Sequence, residues 1–201
     1  MKLLAYEVDK RSFLGIFNED ETWVYPISAA GMEYRSMKDL IREAGPSEME
    51  MLDYISKKAP GDVTGAAPVE EIKIVSPIPE PDQDIICLGI NYMDHAAESA
   101  RFQKEEFARP EKAIYFSKRV NRTNDPDGII PAHKNLTNQL DYEAELAVII
   151  KKDAKDVKPE EVKDYIFGYT IMNDVSAREV QTEHKQWYFG KSLDGFTPLG
   201  P

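Results

Sequence analysis

The chain of 201 residues is 42% hydrophobic and 30% charged, a composition typical of a folded globular protein rather than a disordered one. Its 25 basic and 36 acidic residues give a formal net charge of -11 without a dense lysine and arginine cluster, so we expect no nucleic-acid partner. No apolar run approaches the roughly 18 residues that span a bilayer, and the apolar stretch at the start is too short for a signal peptide. With a single cysteine, Cys87, the chain is predicted to be cytoplasmic, without a membrane partner or an internal disulfide.

Residues 1–75 are predicted to form a small α/β domain. The runs LLAYEV, SFLGIF and TWVYPI indicate a strand meander, and two helices follow, the first capped by Ser36 and the second opening with a capping box at Ser47 and Glu50. A further strand, EIKIV, precedes prolines at positions 77, 79 and 81, which favour a stiff extended connector. We therefore place a domain boundary near residue 75.

Residues 76–201 alternate strand-like runs with polar segments of helical composition. The strand-like runs are IICLGI, AIYFS, ELAVII and YIFGYTIM, and the helical segments are HAAESARFQKEEF, KPEEVKDY and SAREVQTEHKQW. The pattern predicts a β-rich α+β domain in which the apolar run Leu146 to Ile150 is a buried strand. The chain stops at FTPLGP without a closing strand, so we expect this domain to be incomplete.

Two glutamates, Glu143 and Glu145, stand two residues apart in the stretch DYEAELAVIIK. Because side chains alternate faces along a strand, both carboxylates point to the same side, where they repel each other and are difficult to bury. A hard divalent cation such as Mg²⁺ or Mn²⁺ would relieve this repulsion by accepting carboxylate oxygens. The spacing alone favours the simpler alternative, an exposed strand end with two solvated glutamates.

Other polar residues could join this pair. Asp174 follows the strand YIFGYTIM and precedes a helical segment, which suits either a helix N-cap or a ligand at a strand end. His95 and Glu98 are three residues apart and could form either a surface pair or a carboxylate-held histidine that accepts a proton. Lys191 lies between aromatic residues and glycine- and proline-containing turns, a setting that favours partial enclosure.

Four motifs occur in order, namely GINYMDHAAE, LDYEAELAVII, FGYTIMNDVSAREVQ and GKSLDGFTPLGP. Together they resemble the fumarylacetoacetate hydrolase family over residues 76–201, and most of all its bacterial oxaloacetate decarboxylases and acylpyruvate hydrolases. The N-terminal part resembles the small variable domain that many members carry. The resemblance implies a mixed β-barrel or β-roll catalytic domain in a homodimer, with a divalent metal ion in a cleft.

The resemblance also assigns roles to individual residues. It implies metal binding by Glu143, Glu145 and Asp174, a dyad on a mobile lid formed by His95 and Glu98, a position beside the metal for Lys191, and substrate contact by Gln181. The implied substrate is a small anionic 2-oxo acid, an acylpyruvate or oxaloacetate, cleaved by hydrolysis or decarboxylation through a metal-stabilised enolate. Isomerisation or tautomerisation, and a non-catalytic metal-binding protein, are the alternatives. Ile90 stands where some members have an arginine, which puts carboxylate recognition from that side in doubt.

Overall fold

The computed structural model describes residues 1–92 and 112–201. The strands within residues 3–75 form one antiparallel sheet. Its strand order is β4–β3–β2–β1–β5, so the two strands that follow the helices in sequence form the edges. The strands are β1 (Leu3–Val8), β2 (Arg11–Phe17), β3 (Trp23–Pro26), β4 (Ala67–Pro68) and β5 (Lys73–Val75). The predicted meander is thereby confirmed.

Two helices, α1 (Met37–Glu43) and α2 (Pro46–Ser56), contribute to the same core as this sheet. The Ser36 side chain accepts a hydrogen bond from the Asp39 N–H, which confirms the predicted cap of α1. The predicted start of α2 is wrong, because the helix begins one residue before Ser47. Its N-cap is Gly45, whose N–H donates to the Glu48 carboxylate at 2.8 Å.

Beyond residue 84, the described residues form three antiparallel strand pairs, β6–β7, β8–β11 and β9–β10. The strands are β6 (Ile85–Gly89), β7 (Ile114–Lys118), β8 (Leu140–Asp141), β9 (Ala144–Ile150), β10 (Ile166–Asn173) and β11 (Ser176–Ala177). The described α-helices of this region are α3 (Arg178–Glu183) and α4 (Trp187–Lys191), and Pro159–Tyr165 is a 3-10 helix. Short 3-10 helices earlier in the chain cover Ile27–Ala30, Pro60–Asp62 and Val69–Glu71. The segment SAREVQTEHKQW was predicted to be helical, but it starts as β11, contains α3 and reaches only the first residue of α4, with Lys185 between the two helices at a positive φ of 56°.

The mixed, β-rich character of the chain is confirmed, although the strand pairs of the described residues do not close a barrel. The last residues run along β10, where the Asn173 N–H donates to the Pro198 carbonyl and the Gly200 N–H to the Ile171 carbonyl, both at 3.0 Å. The domain boundary near residue 75 stays a prediction. Within the described parts of the chain, no helix is long and apolar enough to cross a membrane.

Strand β9 is not buried on both faces, so the prediction of a buried strand from Leu146 to Ile150 is wrong. Leu146, Val148 and Ile150 are 61%, 46% and 53% exposed, whereas the residues between them are half-buried. On β10, Ile171 is paired with Leu146 and Tyr169 with Val148, and these two side chains are 64% and 62% exposed. The apolar run therefore has an ordinary period of two, which its composition concealed.

Candidate functional site

The pairing of β9 with β10 brings Glu143 and Asp174 together at one end of the hairpin. The Asp174 N–H donates to the Glu143 carbonyl at 2.8 Å, and the Glu143 N–H donates to the Asn173 side-chain oxygen at 3.1 Å. Asp174 is buried, and the N-cap of the following helix is Ala177, so the N-cap alternative for Asp174 is wrong. A carboxylate in this position requires cations or hydrogen-bond donors around it.

Lys191 supplies the first of these cations and lies between the two acids. Its Nζ donates to Glu143 Oε2 at 2.8 Å, to Asp174 Oδ2 at 2.7 Å and to Ser176 Oγ at 2.9 Å. Because an ammonium group has three donors, all of them are used. The enclosure expected of Lys191 is seen, and it is nearly complete at 2% exposure.

Gly190 allows α4 to approach α3 closely enough to place Lys191 in this position. A Cβ atom on residue 190 would lie 2.7 Å from the Gln181 nitrogen and 2.9 Å from the Ala177 carbonyl oxygen. Both are backbone atoms, which cannot move aside as a flexible side chain can. The absence of a side chain at Gly190 therefore sets the distance between the two helices.

A second buried lysine, Lys118, was missed by the sequence analysis. It ends β7, is 0% exposed, and its Nζ donates to Asp174 Oδ1 at 2.7 Å and to the Val175 carbonyl at 3.1 Å. Burial lowers the pKa of Lys118, and the Asp174 carboxylate opposes that shift. A signal was present in the sequence, because Lys118 continues the strand face of Ile114 and Phe116, which is half-buried.

Arg178, the first residue of α3, was also missed, and it connects three side chains. Its Nη1 lies 2.7 Å from Glu143 Oε1 and donates to Gln181 Oε1 at 3.1 Å, and its Nη2 donates to Asp141 Oδ2 at 2.8 Å. One oxygen of Glu143 is thus held by Arg178 and the other by Lys191. Gln181 reaches the acids through Arg178 rather than directly.

Glu145 differs from the other two acids, since it forms no ion pair with a lysine or arginine of the described residues. Burial raises the pKa of Glu145, the negative charges of Glu143 and Asp174 raise it further, and a hydrogen bond from Tyr92 opposes them. Glu145 is thus the acid of the three whose charge is least compensated by cations of the described residues.

The chemistry of this donor set fits a divalent metal ion. Oxygen atoms from Glu143, Glu145 and Asp174 are the ligands that hard cations prefer, and Glu145 has no partner of opposite charge within residues 1–92 and 112–201. As the side chains stand, no three His, Cys, Asp or Glu residues in those ranges are arranged around a common ion position. Binding of an ion would therefore require side chains of the site to rearrange, and Lys191 Nζ now occupies one oxygen of Glu143 and one of Asp174.

Comparison with known proteins adds independent information. The family model described as "Fumarylacetoacetate (FAA) hydrolase C-terminal" matches residues 84–201, which include every residue of this site. The chain belongs to the fumarylacetoacetate hydrolase family. The resemblance inferred from the four motifs is thereby confirmed.

Relatives within the fumarylacetoacetate hydrolase family differ in the reactions that their names state. Oxaloacetate tautomerase YisK of Bacillus subtilis (strain 168) is 42% identical over 211 residues, which cover 100% of this chain and 68% of that protein. A solved fumarylacetoacetate hydrolase from Exiguobacterium antarcticum has a TM-score of 0.75 and 32% identity, covering 100% of this chain and 65% of that one. Maleylpyruvate hydrolase from Sphingobium sp. SYK-6 has a TM-score of 0.65 and 26% identity, with 100% and 66% coverage. The chain thus spans less than two thirds of either solved protein.

The residues that the family resemblance assigned have different outcomes. Glu143, Asp174 and Lys191 are in direct contact in this family member, at distances of 2.7 to 2.8 Å from the lysine nitrogen. His95 and Glu98 fall outside the described residues, so the dyad stays a prediction.

Proposed function

We propose that the protein is a metal-dependent enzyme that acts on an enolisable 2-oxo acid. Glu143, Glu145 and Asp174 would hold the ion, either Mg²⁺ or Mn²⁺, and a bound ion supplies positive charge that stabilises the enolate of such an acid. The observation that carries this proposal is the buried cluster in which Glu143 and Asp174 share Lys191, with the Glu145 carboxylate near them.

The chain's own residues contribute a preorganised set of cations, each of them paired with a carboxylate of the site. Lys191 uses all three donors on protein groups, so it acts on a bound anion through its charge unless one of these bonds is exchanged. Arg178 holds Glu143 from the opposite side. No buried side-chain nitrogen or oxygen of the described residues lacks a partner, which means that the arrangement is satisfied before a substrate binds.

Tautomerisation of oxaloacetate is the reaction that we favour. In this reaction a proton moves between the methylene carbon and the keto oxygen, and no carbon–carbon bond breaks. The support is the 42% identity over the full chain to a protein named oxaloacetate tautomerase.

Cleavage of a carbon–carbon bond, by hydrolysis of an acylpyruvate or by decarboxylation of oxaloacetate, is the second candidate. It is supported by the structural similarity to a protein named maleylpyruvate hydrolase, since maleylpyruvate is itself an acylpyruvate. Hydrolysis requires an activated water molecule, the role that we propose for His95 and Glu98, and Gln181 is proposed to contact the substrate. Decarboxylation requires no water.

A substrate panel tests the proposed function. Oxaloacetate, acetylpyruvate and fumarylpyruvate are each supplied with Mg²⁺, Mn²⁺ or EDTA. Enol absorbance reports tautomerisation, and coupled detection of pyruvate reports cleavage. We expect EDTA and Glu143→Gln each to abolish turnover, whereas Glu21→Gln, in an exposed pair with Lys2, should leave it unchanged. Turnover that survives both EDTA and Glu143→Gln would contradict the proposal, and metal binding without any turnover would favour a non-catalytic protein.

The family resemblance also supports a homodimer, which we propose as the assembly of this protein. Static light scattering at several protein concentrations tests it. A dimer mass that persists on dilution is expected, and a monomer mass at all concentrations would contradict it.

A further inference from the structure

The Asp174 carboxylate is held by two lysines that approach from different elements. Lys191 binds Oδ2 from the end of α4, and Lys118 binds Oδ1 from the end of β7, each at 2.7 Å. Only the Oδ2 side is shared with Glu143, through Lys191. The two oxygens of Asp174 therefore have different neighbours, and the position of Lys118 determines which oxygen faces the other acids.

We propose that Lys118 is a positioning residue that fixes the orientation of Asp174 by holding Oδ1, so that Oδ2, which Lys191 binds in this structure, is the oxygen left for the proposed metal ion. This inference rests on the proposed function. Lys118 is 0% exposed, so it does not meet a substrate in this arrangement. Its effect on the site passes through Asp174.

Three hydrogen bonds explain how the orientation of Asp174 is maintained. Lys118 Nζ binds both the side-chain Oδ1 and, at 3.1 Å, the Val175 carbonyl immediately after it. The Asp174 N–H is bound to the Glu143 carbonyl at 2.8 Å. The backbone on either side of the Asp174 side chain is thus fixed together with Oδ1, and Lys191 holds Oδ2, so the side chain has little freedom to rotate.

A purely stabilising role does not account for a charged group at this position. Burying an ammonium ion is unfavourable, and a buried ion pair often stabilises a fold no more than apolar side chains of similar volume would. What the pair does supply is directionality, because Lys118 Nζ lies at hydrogen-bond distance from one defined oxygen of Asp174. Residues that orient a metal ligand in this way typically change metal affinity about 10- to 100-fold when they are mutated.

An orienting role and a simple charge effect predict opposite results. If Lys118 only placed a positive charge near the metal ion, its removal would reduce repulsion and tighten metal binding. If it orients Asp174, its removal weakens binding although a repelling charge is lost. A glutamine at position 118 separates the two roles, because it removes the charge but keeps an N–H donor on a side chain one atom shorter.

The experiment measures Mn²⁺ binding by electron paramagnetic resonance of free Mn²⁺ in wild-type protein, Lys118→Met and Lys118→Gln. The control is Lys73→Met, because Lys73 forms a solvent-exposed pair with Asp125 at 2.8 Å. We expect Lys118→Met to weaken binding by about tenfold or more, Lys118→Gln by less than about fivefold, and Lys73→Met not at all. Circular dichroism checks that each variant is folded.

Each result decides between the interpretations. Unchanged or tighter Mn²⁺ binding by Lys118→Met, or an equal loss in Lys118→Met and Lys118→Gln, overturns the orienting role while the metal site itself stands. Failure of the wild-type protein to bind Mn²⁺ overturns the proposed function and, with it, this inference. If Lys118→Met does not fold, Lys118→Gln decides alone, with a loss below about fivefold in favour and a larger loss against.

Discussion

Replacing Asp174 with alanine should destabilise the fold strongly, because it removes the carboxylate that two buried lysines share. Lys191 keeps its bond to Glu143, but Lys118 keeps only the Val175 carbonyl among its described partners. Removing one member of a buried ion pair generally reduces the free energy of unfolding by about 3–5 kcal/mol. We expect a loss in this range, which corresponds to a fall in Tm of roughly 6–20 °C for a chain of this size.

Urea unfolding monitored by circular dichroism measures this loss, provided that the m-value is unchanged. The matched control is Asp53→Ala, which removes a solvent-exposed i,i+4 pair with Lys57 and should leave stability nearly unchanged. The double variant Asp174→Ala with Lys118→Met should recover part of the loss, since no unpaired ammonium then remains at position 118. Equal losses in Asp174→Ala and Asp53→Ala would refute this reasoning, as would a double variant as unstable as the sum of the single ones.

The pH dependence of the same unfolding experiment provides a further check. Burial lowers the pKa of Lys118 from the ordinary 10.5. At a pH between the lowered pKa of the native state and 10.5, the unfolded chain therefore binds more protons than the native one. Stability contributed by this group therefore rises with pH across that window. The deficit of Asp174→Ala should shrink as pH rises towards 10.5, because a neutral amine is less costly to bury.

Three further tests probe the packing and electrostatics of this part of the chain by urea unfolding. Gly190→Ala should reduce the free energy of unfolding by about 1–3 kcal/mol through overpacking. The control Gly61→Ala, with no atom within 4 Å of the added Cβ, should change it by at most about 0.5 kcal/mol. Similar values for the two variants would contradict the close contact between α3 and α4. Leu146→Ser, on the exposed face of β9, should reduce the free energy of unfolding by less than about 1 kcal/mol. Met172→Ala, at a buried position of β10, should reduce it by about 2–5 kcal/mol. The reverse order would contradict the assignment of the exposed and buried faces of this strand pair. The pKa of Glu145 is raised above 4.5, so between 4.5 and the raised value the native state binds more protons than the unfolded chain, and the stability of the wild type falls as pH rises. The variant Glu145→Gln should therefore become more stable relative to the wild type from about pH 4 to about pH 7. A difference in stability that does not change with pH would contradict the shift.

Local sequence pattern was sufficient to predict most secondary structure. Runs of apolar and β-branched residues predicted the long strands of both parts, and the Ser36 cap was read correctly. The start of α2 was predicted at the wrong residue, because Gly45 and Ser47 are both acceptable caps and only the Pro46 position and the Glu48 contact decide between them.

Sequence also indicated part of the site. A period of two placed Glu143 and Glu145 on one strand face, and position relative to a strand end singled out Asp174. These inferences needed only residues that are close in the chain. They could not state whether the carboxylates were solvated or enclosed, because burial depends on what packs above the strand.

The sequence by itself therefore determined the strand-forming segments and the family to which the chain belongs, and it singled out the acids Glu143, Glu145 and Asp174. Only the tertiary structure decided which cations meet those acids, since Lys118 lies 56 positions from Asp174 and Lys191 lies 48 positions from Glu143. It also decided that Leu146, Val148 and Ile150 face outward although Ala147 and Ile149 between them are apolar too. The physical reason is that periodicity along one strand specifies a face, whereas burial and ion pairing depend on the register between segments distant in sequence.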